Sequence, residues 1–219
     1  MGKIRPSVLK RIVQLRVYNP LYLDKTGQYI FLTKEKLENW RGGVKGFVFE
    51  SNNGIFTGGL SVDDFNFSTE TQSSHDEIMS FFLENYDNML KVYENFDVQR
   101  LGYRIIYVDD VTKEEVFRFL KTLYNDEIVQ KFGKPNGYEA TLIIKENNIF
   151  CVVRLLYGKW KKDSKEHGGL IVDVDVFEEY EPNTKATEEH KEIFEKFFEE
   201  ARRLHDHVIK VVREMWKHG

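Results

Sequence analysis

Two aspartates late in the chain have the residue type and spacing needed for chemistry. Asp173 and Asp175 alternate with three valines, Val172, Val174 and Val176, a pattern typical of a strand with one apolar face. Side chains two positions apart on a strand project from the same face, so we expect the two carboxylates about 6–7 Å apart. Such a pair suits a hard cation or acid–base catalysis. The alternative is a polar sheet face on which arginines neutralise both charges.

Three arginines within predicted strands form the second candidate site. Arg16, Arg104 and Arg154 each lie mid-strand, and Tyr103 and Tyr107 are close to the middle one in sequence. Guanidinium groups beside aromatic rings bind anions through forked hydrogen bonds and stacking, so these five residues are the candidate ligand-binding set. The alternative is cross-strand pairing of the arginines with acidic residues of neighbouring strands.

Other catalytic patterns are weak in this sequence. His205 and His207 are two apart in a predicted helix, so they point in different directions and do not form a metal pair. The single cysteine, Cys151, lies in an apolar run and is expected to be buried. The chain contains neither a Gly-x-Ser-x-Gly motif nor a glycine-rich phosphate loop. We therefore assign no metal site, expect no cofactor, and leave Asp173 and Asp175 as the catalytic candidates.

The first half of the chain predicts a strand, a short helix, three strands and a long helix. Val13, Leu15 and Val17 alternate in a strand over residues 8–18. Thr33 is expected to cap a short helix over residues 34–40, and strands are expected over 46–51, 55–62 and 65–72. Ser73 and Ser74 are candidate caps for a helix expected from residue 75 to about 95.

The second half predicts the same order of elements. A strand is expected over 98–108, and Thr112 is expected to cap a helix over 113–124. Strands are expected over 138–145, 149–157 and 169–177, with an exposed loop from Lys159 to His167. Thr187 is expected to cap a long helix that runs close to the C-terminus.

This order predicts an internal repeat. Residues 7–97 and 98–219 are expected to be two β-α-β-β-β-α units of one pseudo-symmetric domain. Their leading strands align with two identities, Arg11 with Arg100 and Tyr18 with Tyr107. The predicted fold class is α+β, a tandem repeat that forms an antiparallel sheet with long helices packed on one face.

Composition and the last helix restrict the partners. The net charge of −4 disfavours nucleic acid, and the absence of an apolar run of about 18 residues indicates no membrane span. One cysteine and no apolar leader suggest a cytoplasmic protein. The final helix has an apolar stripe that predicts either core packing or a protein partner, including self-association into a dimer; its members are Ile193, Phe197, Leu204, Val208, Val211 and Met215.

Three segments resemble an uncharacterised prokaryotic family of sporadic distribution. They are Arg100-Leu-Gly-Tyr-Arg104, Leu170-Ile-Val-Asp-Val-Asp-Val-Phe177 and Leu204-His205. The family has Arg-Leu-Gly-Leu-Arg-Tyr-Ile-Asn near its middle, then Leu-Leu-Asp-Ile-Asp-Val-Phe and a helix with Leu-His. This chain departs at Tyr103, Ile105 and Tyr107. The resemblance implies the same architecture and a prokaryotic cytoplasmic origin, and it implies no mechanism.

Three functions follow as hypotheses. The leading one is a non-enzymatic binding or interaction protein, because catalytic motifs are weak and the last helix is long. The first alternative is a metal-dependent hydrolase that uses Asp173 and Asp175. The second is a nucleic-acid-binding module based on the basic, acid-free N-terminal segment, against which the overall acidity speaks.

Overall fold

The computed structural model describes residues 3–43, 46–70, 73–124, 137–162 and 164–218. Within these ranges the chain forms nine strands and four helices. In chain order they are β1 (Ser7–Tyr18), α1 (Tyr22–Thr33), β2 (Leu37–Gly43), β3 (Gly46–Ser51), β4 (Thr57–Leu60), β5 (Asp64–Thr69), α2 (His75–Tyr93), β6 (Asp97–Asp109), α3 (Lys113–Lys121), β7 (Glu139–Glu146), β8 (Ile149–Lys162), β9 (Lys165–Glu179) and α4 (His190–His218).

The strands form one antiparallel sheet in the order β2-β3-β4-β5-β1-β6-β9-β8-β7. The predicted α+β class and antiparallel sheet are therefore confirmed. The helices pack on one face: α3 contacts β8 and β9, α4 contacts β9 and β6, and α2 packs against both α1 and α4. Because apolar side chains of every strand but β7 point towards this layer, the buried residues form one continuous core.

Period-two alternation determines which side chains face the helices. On β9, Val172, Val174 and Val176 are fully buried beneath the helix layer. Asp173 and Asp175 project from the opposite side. We call that side the open face; its central side chains are Gln14, Arg16, Asn66, Arg100, Arg104, Asp173 and Asp175.

The helix predicted over residues 34–40 is wrong. The helix is α1, which ends at Thr33, and Leu37 begins strand β2 instead. The Thr33 hydroxyl donates to the carbonyl of Tyr29 at 2.9 Å, so it closes the preceding helix rather than capping a new one. Leu37 is buried in the core opposite Ser51 of β3. The first half therefore has four strands after its helix, not three.

The exposed loop predicted from Lys159 to His167 is also wrong. Strands β8 and β9 continue as a hairpin as far as Lys162 and Lys165. Trp160 lies opposite His167 in the register, and the two rings stack with their centroids 6.0 Å apart. This cross-strand contact buries Trp160 and stabilises strand structure in a segment rich in charge.

Of the predicted capping residues in mid-chain, Ser74 and Thr112 are confirmed. The Ser74 hydroxyl accepts from the backbone N–H of Glu77, whose carboxylate accepts from the N–H of Ser74. Thr112 and Glu115 make the same reciprocal pair at the start of α3. These capping boxes satisfy backbone donors that have no partner inside the helix.

Helix α4 directs its main apolar face into the core of its own chain. The buried residues are Phe194, Phe197, Phe198, Ala201, Leu204, Val208, Ile209, Val212 and Trp216. Ile193, which was placed in the apolar stripe, is 40% exposed. These contacts therefore favour core packing over a contact with a partner for the apolar stripe of α4.

The sheet has a nearly symmetric strand order. Strands β1 and β6 pair at its centre; β5, β4, β3 and β2 follow on one side, and β9, β8 and β7 on the other. The division into repeats at residues 7–97 and 98–219 stays a prediction. No helix in the described ranges is long and apolar enough to cross a membrane.

Candidate functional site

Asp173 is held by a forked hydrogen bond from a neighbouring strand. The Arg104 Nε donates to Asp173 Oδ1 at 2.7 Å, and Nη2 donates to Oδ2 at 2.6 Å. The Arg154 Nη1 lies 3.7 Å from the same Oδ2. The Asp173 side chain is 10% exposed, so a buried carboxylate is neutralised by guanidinium groups from the strands on both sides of β9.

Asp175 has its own arginine, which the sequence-based reasoning did not assign to it. The Arg100 Nη2 donates to Asp175 Oδ2 at 2.9 Å, and its Nη1 donates to Gln14 Oε1 at 3.2 Å. The guanidinium lies 4.2 Å above the Phe177 ring. Burial raises the pKa of the Asp175 carboxyl, and the positive charges of Arg100 and Arg104 oppose that rise.

Gly102 makes room for this arrangement. A Cβ added at this position would lie 2.9 Å from Nη1 of Arg100. The missing side chain therefore lets the guanidinium lie flat across β6 between Gln14 and Asp175.

The pairing favours the structural alternative for the two aspartates. Each carboxylate is within hydrogen-bond distance of an arginine, and the grooves described below are lined by other residues. Among the described residues, no group of three or more His, Cys, Asp or Glu side chains is placed to hold a metal ion. The hydrolase hypothesis has no geometric support from this arrangement.

The candidate ligand-binding set is divided between the two faces of the sheet, which corrects its grouping. Tyr103 and Tyr107 are buried under α4, where both rings contact His205. Arg104 lies on the open face, because adjacent residues of a strand point in opposite directions. The tyrosines and the arginine therefore cannot contact the same ligand.

Arg16 and Arg154 lie far apart on the open face. Arg154 belongs to β8, where it approaches Asp173. Arg16 belongs to β1, pairs in the register with Asp64 of β5, and is exposed. Arg16 is the candidate arginine that lines a groove.

This groove lies on the open face over β1, β3, β4 and β5. It has a volume of about 600 Å³ and is lined by Gln14, Arg16, Val48, Gly59, Asp64 and Asn66, among others. That volume is within the range of about 300–1,000 Å³ found for small-molecule sites. A second groove of about 500 Å³ shares Val48, Gly59 and Asn66 with the first, so the two form one trough.

Asp64 is a half-buried carboxylate in the trough. The Asn66 side-chain amide donates to Asp64 Oδ2. Burial raises the pKa of the Asp64 carboxyl, while hydrogen bonding from Asn66 and Gln14 lowers it. Its Oδ1 is buried and has no hydrogen bond of good geometry within the described residues. An acceptor left in this state is costly unless a ligand or water satisfies it.

The trough and the aspartate–arginine pairs belong to one polar belt. Gln14 lies beside Asp64 and also accepts a hydrogen bond from Arg100. Arg100 in turn holds Asp175. The belt therefore crosses the open face from β5 to β9, with its charges paired on the β9 side and an unsatisfied acceptor on the β5 side.

Sequence reasoning missed Asp64, which lies just before the strand predicted over residues 65–72, and Asn66, which lies inside that strand. Strand β5 begins at Asp64, and the segment Asp64-Phe65-Asn66-Phe67-Ser68 alternates polar and apolar residues. Phe65 and Phe67 are buried, so the polar residues must face the open side. The same alternation that identified Asp173 and Asp175 was available here.

A buried histidine lies on the other side of the sheet. His205 is 2% exposed, and its Nε2 lies 3.2 Å from the carbonyl oxygen of Tyr103. Burial lowers the pKa of His205 to about 3, a shift that this carbonyl opposes. The ring is therefore neutral at pH 7 and part of the core.

A scan against protein-family models and a search of curated proteins found no match to this chain.

Proposed function

We propose that this chain is a non-enzymatic binding protein whose trough on the open face holds a small hydroxyl-rich ligand, such as a sugar or polyol. The observation that carries the proposal is Asp64 Oδ1, a buried acceptor without a hydrogen bond of good geometry within the described residues, beside a groove of about 600 Å³. Because this oxygen has almost no accessible surface, a ligand hydroxyl reaches it only when the Asp64 side chain turns towards the groove. The hydrogen bond then removes the cost of leaving the oxygen unsatisfied.

The charge of the trough supports a neutral ligand. Arg16 contributes one positive charge to the larger groove, and Asp63 and Asp64 contribute two negative ones. This balance does not favour an anion, which would need a surplus of arginine or lysine. Gln14 and Asn66 add amide groups that both donate and accept hydrogen bonds, which matches hydroxyl groups on neighbouring carbon atoms.

The apolar part of the trough's lining supports the same class of ligand. Val48 is 53% exposed and lies opposite Gly59 in the register. The glycine leaves the backbone of β4 accessible, and the valine offers a surface for the C–H groups of a sugar ring.

The experiment is a titration of the isotope-labelled chain followed by amide chemical shifts. Neutral sugars and polyols are compared with phosphate and citrate. We expect a neutral sugar or polyol to shift resonances of β4 and β5, with a Kd of about 1 mM, or about −4 kcal/mol. Asn66→Leu should weaken binding at least ten-fold, because it removes an amide from the trough and deletes the donor to Asp64 Oδ2.

Asp64→Asn is the second variant of this experiment. Its matched control is Asp24→Asn, because Asp24 is exposed on α1 away from the trough. Binding that is unchanged in both Asp64→Asn and Asn66→Leu would contradict the proposal. So would binding of phosphate or citrate alone that is lost in Arg16→Met, since that result indicates an anion site.

The proposal extends to the cellular compartment and to the family that the chain resembles. We place the chain in the cytoplasm because its one cysteine is a buried free thiol. The resemblance of its three segments to the prokaryotic family supports that location. The hydrolase hypothesis rests on Asp173 and Asp175, which do not line the trough.

A further inference from the structure

Within the part of the chain that the structure describes, the two edges of the sheet differ in how they are protected. At one edge, β2 has a register irregularity between Glu38 and Arg41, and Asn39 has a positive φ of 54°. Bulges and charges of this kind prevent another strand from pairing. At the other edge, β7 pairs with β8 over all eight residues without a shift, from Glu139 with Leu156 to Glu146 with Ile149.

Strand β7 also exposes large apolar side chains. Leu142 is 51% exposed, Ile143 is 70% exposed and Ile144 is 42% exposed. Leu142 and Ile144 lie opposite Val153 and Cys151, which are buried. An edge strand that is regular and apolar on both faces is a template for further pairing.

We propose that β7 pairs antiparallel with β7 of a second copy of this chain, across a two-fold axis through Leu142. This register sets Leu142 opposite its own copy, Ala140 opposite Ile144, and Thr141 opposite Ile143. Two nine-stranded sheets then become one continuous sheet, and the apolar side chains of each edge cover those of the other.

Charge complementarity selects this partner and register. Glu139 and Lys145 are at opposite ends of the strand, so a two-fold axis through Leu142 places each glutamate opposite the lysine of the other copy. A slip by one residue would set Glu139 against Glu146, which is unfavourable. It would also turn the apolar side chains of one copy to the other face.

The faces of the two strands also match. Ala140, Leu142 and Ile144 of both copies form an apolar patch on the helix side of the sheet. On the open side, Ile143 of each copy lies opposite Thr141 of the other copy. The ion pairs between Glu139 and Lys145 lie at the two ends of this row. Glu146 already pairs with Arg203 at 2.8 Å, so it does not compete for Lys145.

The test is sedimentation velocity of the full chain over a range of concentrations. We expect a mass of twice 26.0 kDa. Lys145→Glu should weaken the dimer at least ten-fold, because it sets a glutamate against Glu139 at both ends of the strand pair. The double variant Glu139→Lys/Lys145→Glu should restore it, because both ion pairs return with their signs exchanged.

The double variant separates the proposal from a change in folding. Lys145 lies 4.9 Å above the Phe150 ring, a contact that both variants lose, so its loss alone cannot explain a dimer that returns in one of them. Leu142→Cys adds a geometric readout. Directly opposed Cα atoms are about 4.5–5.5 Å apart, so this cysteine should form a disulfide with its own copy, while Ile143→Cys should not.

Three results would overturn the inference. One is a monomer at all concentrations. Another is a dimer that is indifferent to Lys145→Glu. The third is a double variant that stays as monomeric as the single one.

Discussion

Removal of the Arg104 guanidinium should destabilise the fold without touching the trough. Arg104→Met keeps the apolar length of the side chain and deletes the two donors that hold Asp173 at 2.7 and 2.6 Å. The carboxylate is 10% exposed in the native chain, so without these two donors it is left as a buried charge with poorer compensation.

The expected loss follows from the exposure of the two partners. Breaking a fully buried ion pair from one side costs about 3–5 kcal/mol. Here the Arg104 side chain is 38% exposed, and Arg154 lies 3.7 Å from the carboxylate and can take over part of the pairing. We therefore expect Arg104→Met to lower the free energy of unfolding by about 3 kcal/mol, the low end of this range. Adding Asp173→Leu to Arg104→Met should recover most of it, because no unpaired charge then remains.

The assay is urea unfolding at pH 7, with the free energy compared among Arg104→Met, Asp173→Leu and the double variant. Arg118→Met is the matched control: Arg118 is exposed on α3, so its change should stay within about 0.5 kcal/mol. A loss below about 1 kcal/mol for Arg104→Met would refute the reasoning, because the pair would then behave like a surface ion pair. Single-variant effects that simply add would refute it as well.

The remaining predictions concern His205, Cys151 and two glycines. Burial lowers the pKa of His205 to about 3, from the ordinary value of 6.5. As the pH falls, the unfolded chain therefore takes up a proton on this residue before the folded chain does. The contribution of His205 to stability is present in full above pH 6.5, and it falls by about 1.4 kcal/mol per pH unit as the pH drops towards about 3. His205→Gln should flatten this slope in unfolding curves measured at several pH values. Burial raises the pKa of the Cys151 thiol to about 11, so a thiol reagent should react only after urea unfolds the chain, and fast labelling of the native protein would disprove the burial. A Cβ at Gly27 of α1 meets no atom within 4 Å, so Gly27→Ala should raise the free energy of unfolding by about 0.8 kcal/mol. A Cβ at Gly58 would lie 2.2 Å from the carbonyl oxygen of Asn66, so Gly58→Ala should lower it by about 2 kcal/mol; equal effects of the two substitutions would contradict the packing at β4.

Local patterns predicted several elements closely. The reciprocal Ser74 and Thr112 capping boxes begin helices within a residue of the expected position. The alternation around Val13 and Val172 identified strands and their buried faces. These predictions succeed because caps and strand faces depend on residues near one another in sequence.

The errors have two different origins. Placing Tyr103 and Tyr107 beside Arg104 ignored strand alternation, which the sequence itself contains. The misplaced first helix has a tertiary origin. Leu37 and Trp40 pack into the core from β2, where Trp40 contacts Phe49 with ring centroids 5.1 Å apart. Packing of this kind outweighs the weak local preference for a helix.

The sequence alone determined the class of fold and which residues of each strand are polar, because periodicity is written into neighbouring residues. Tertiary structure decided which strands become neighbours. Only that order brings Arg100 between Gln14 and Asp175, and only it leaves Asp64 with an unsatisfied oxygen at a groove. It also leaves β7 at an edge. Contacts between residues about 70–100 positions apart in the chain depend on the packing of the whole core, which no local pattern encodes.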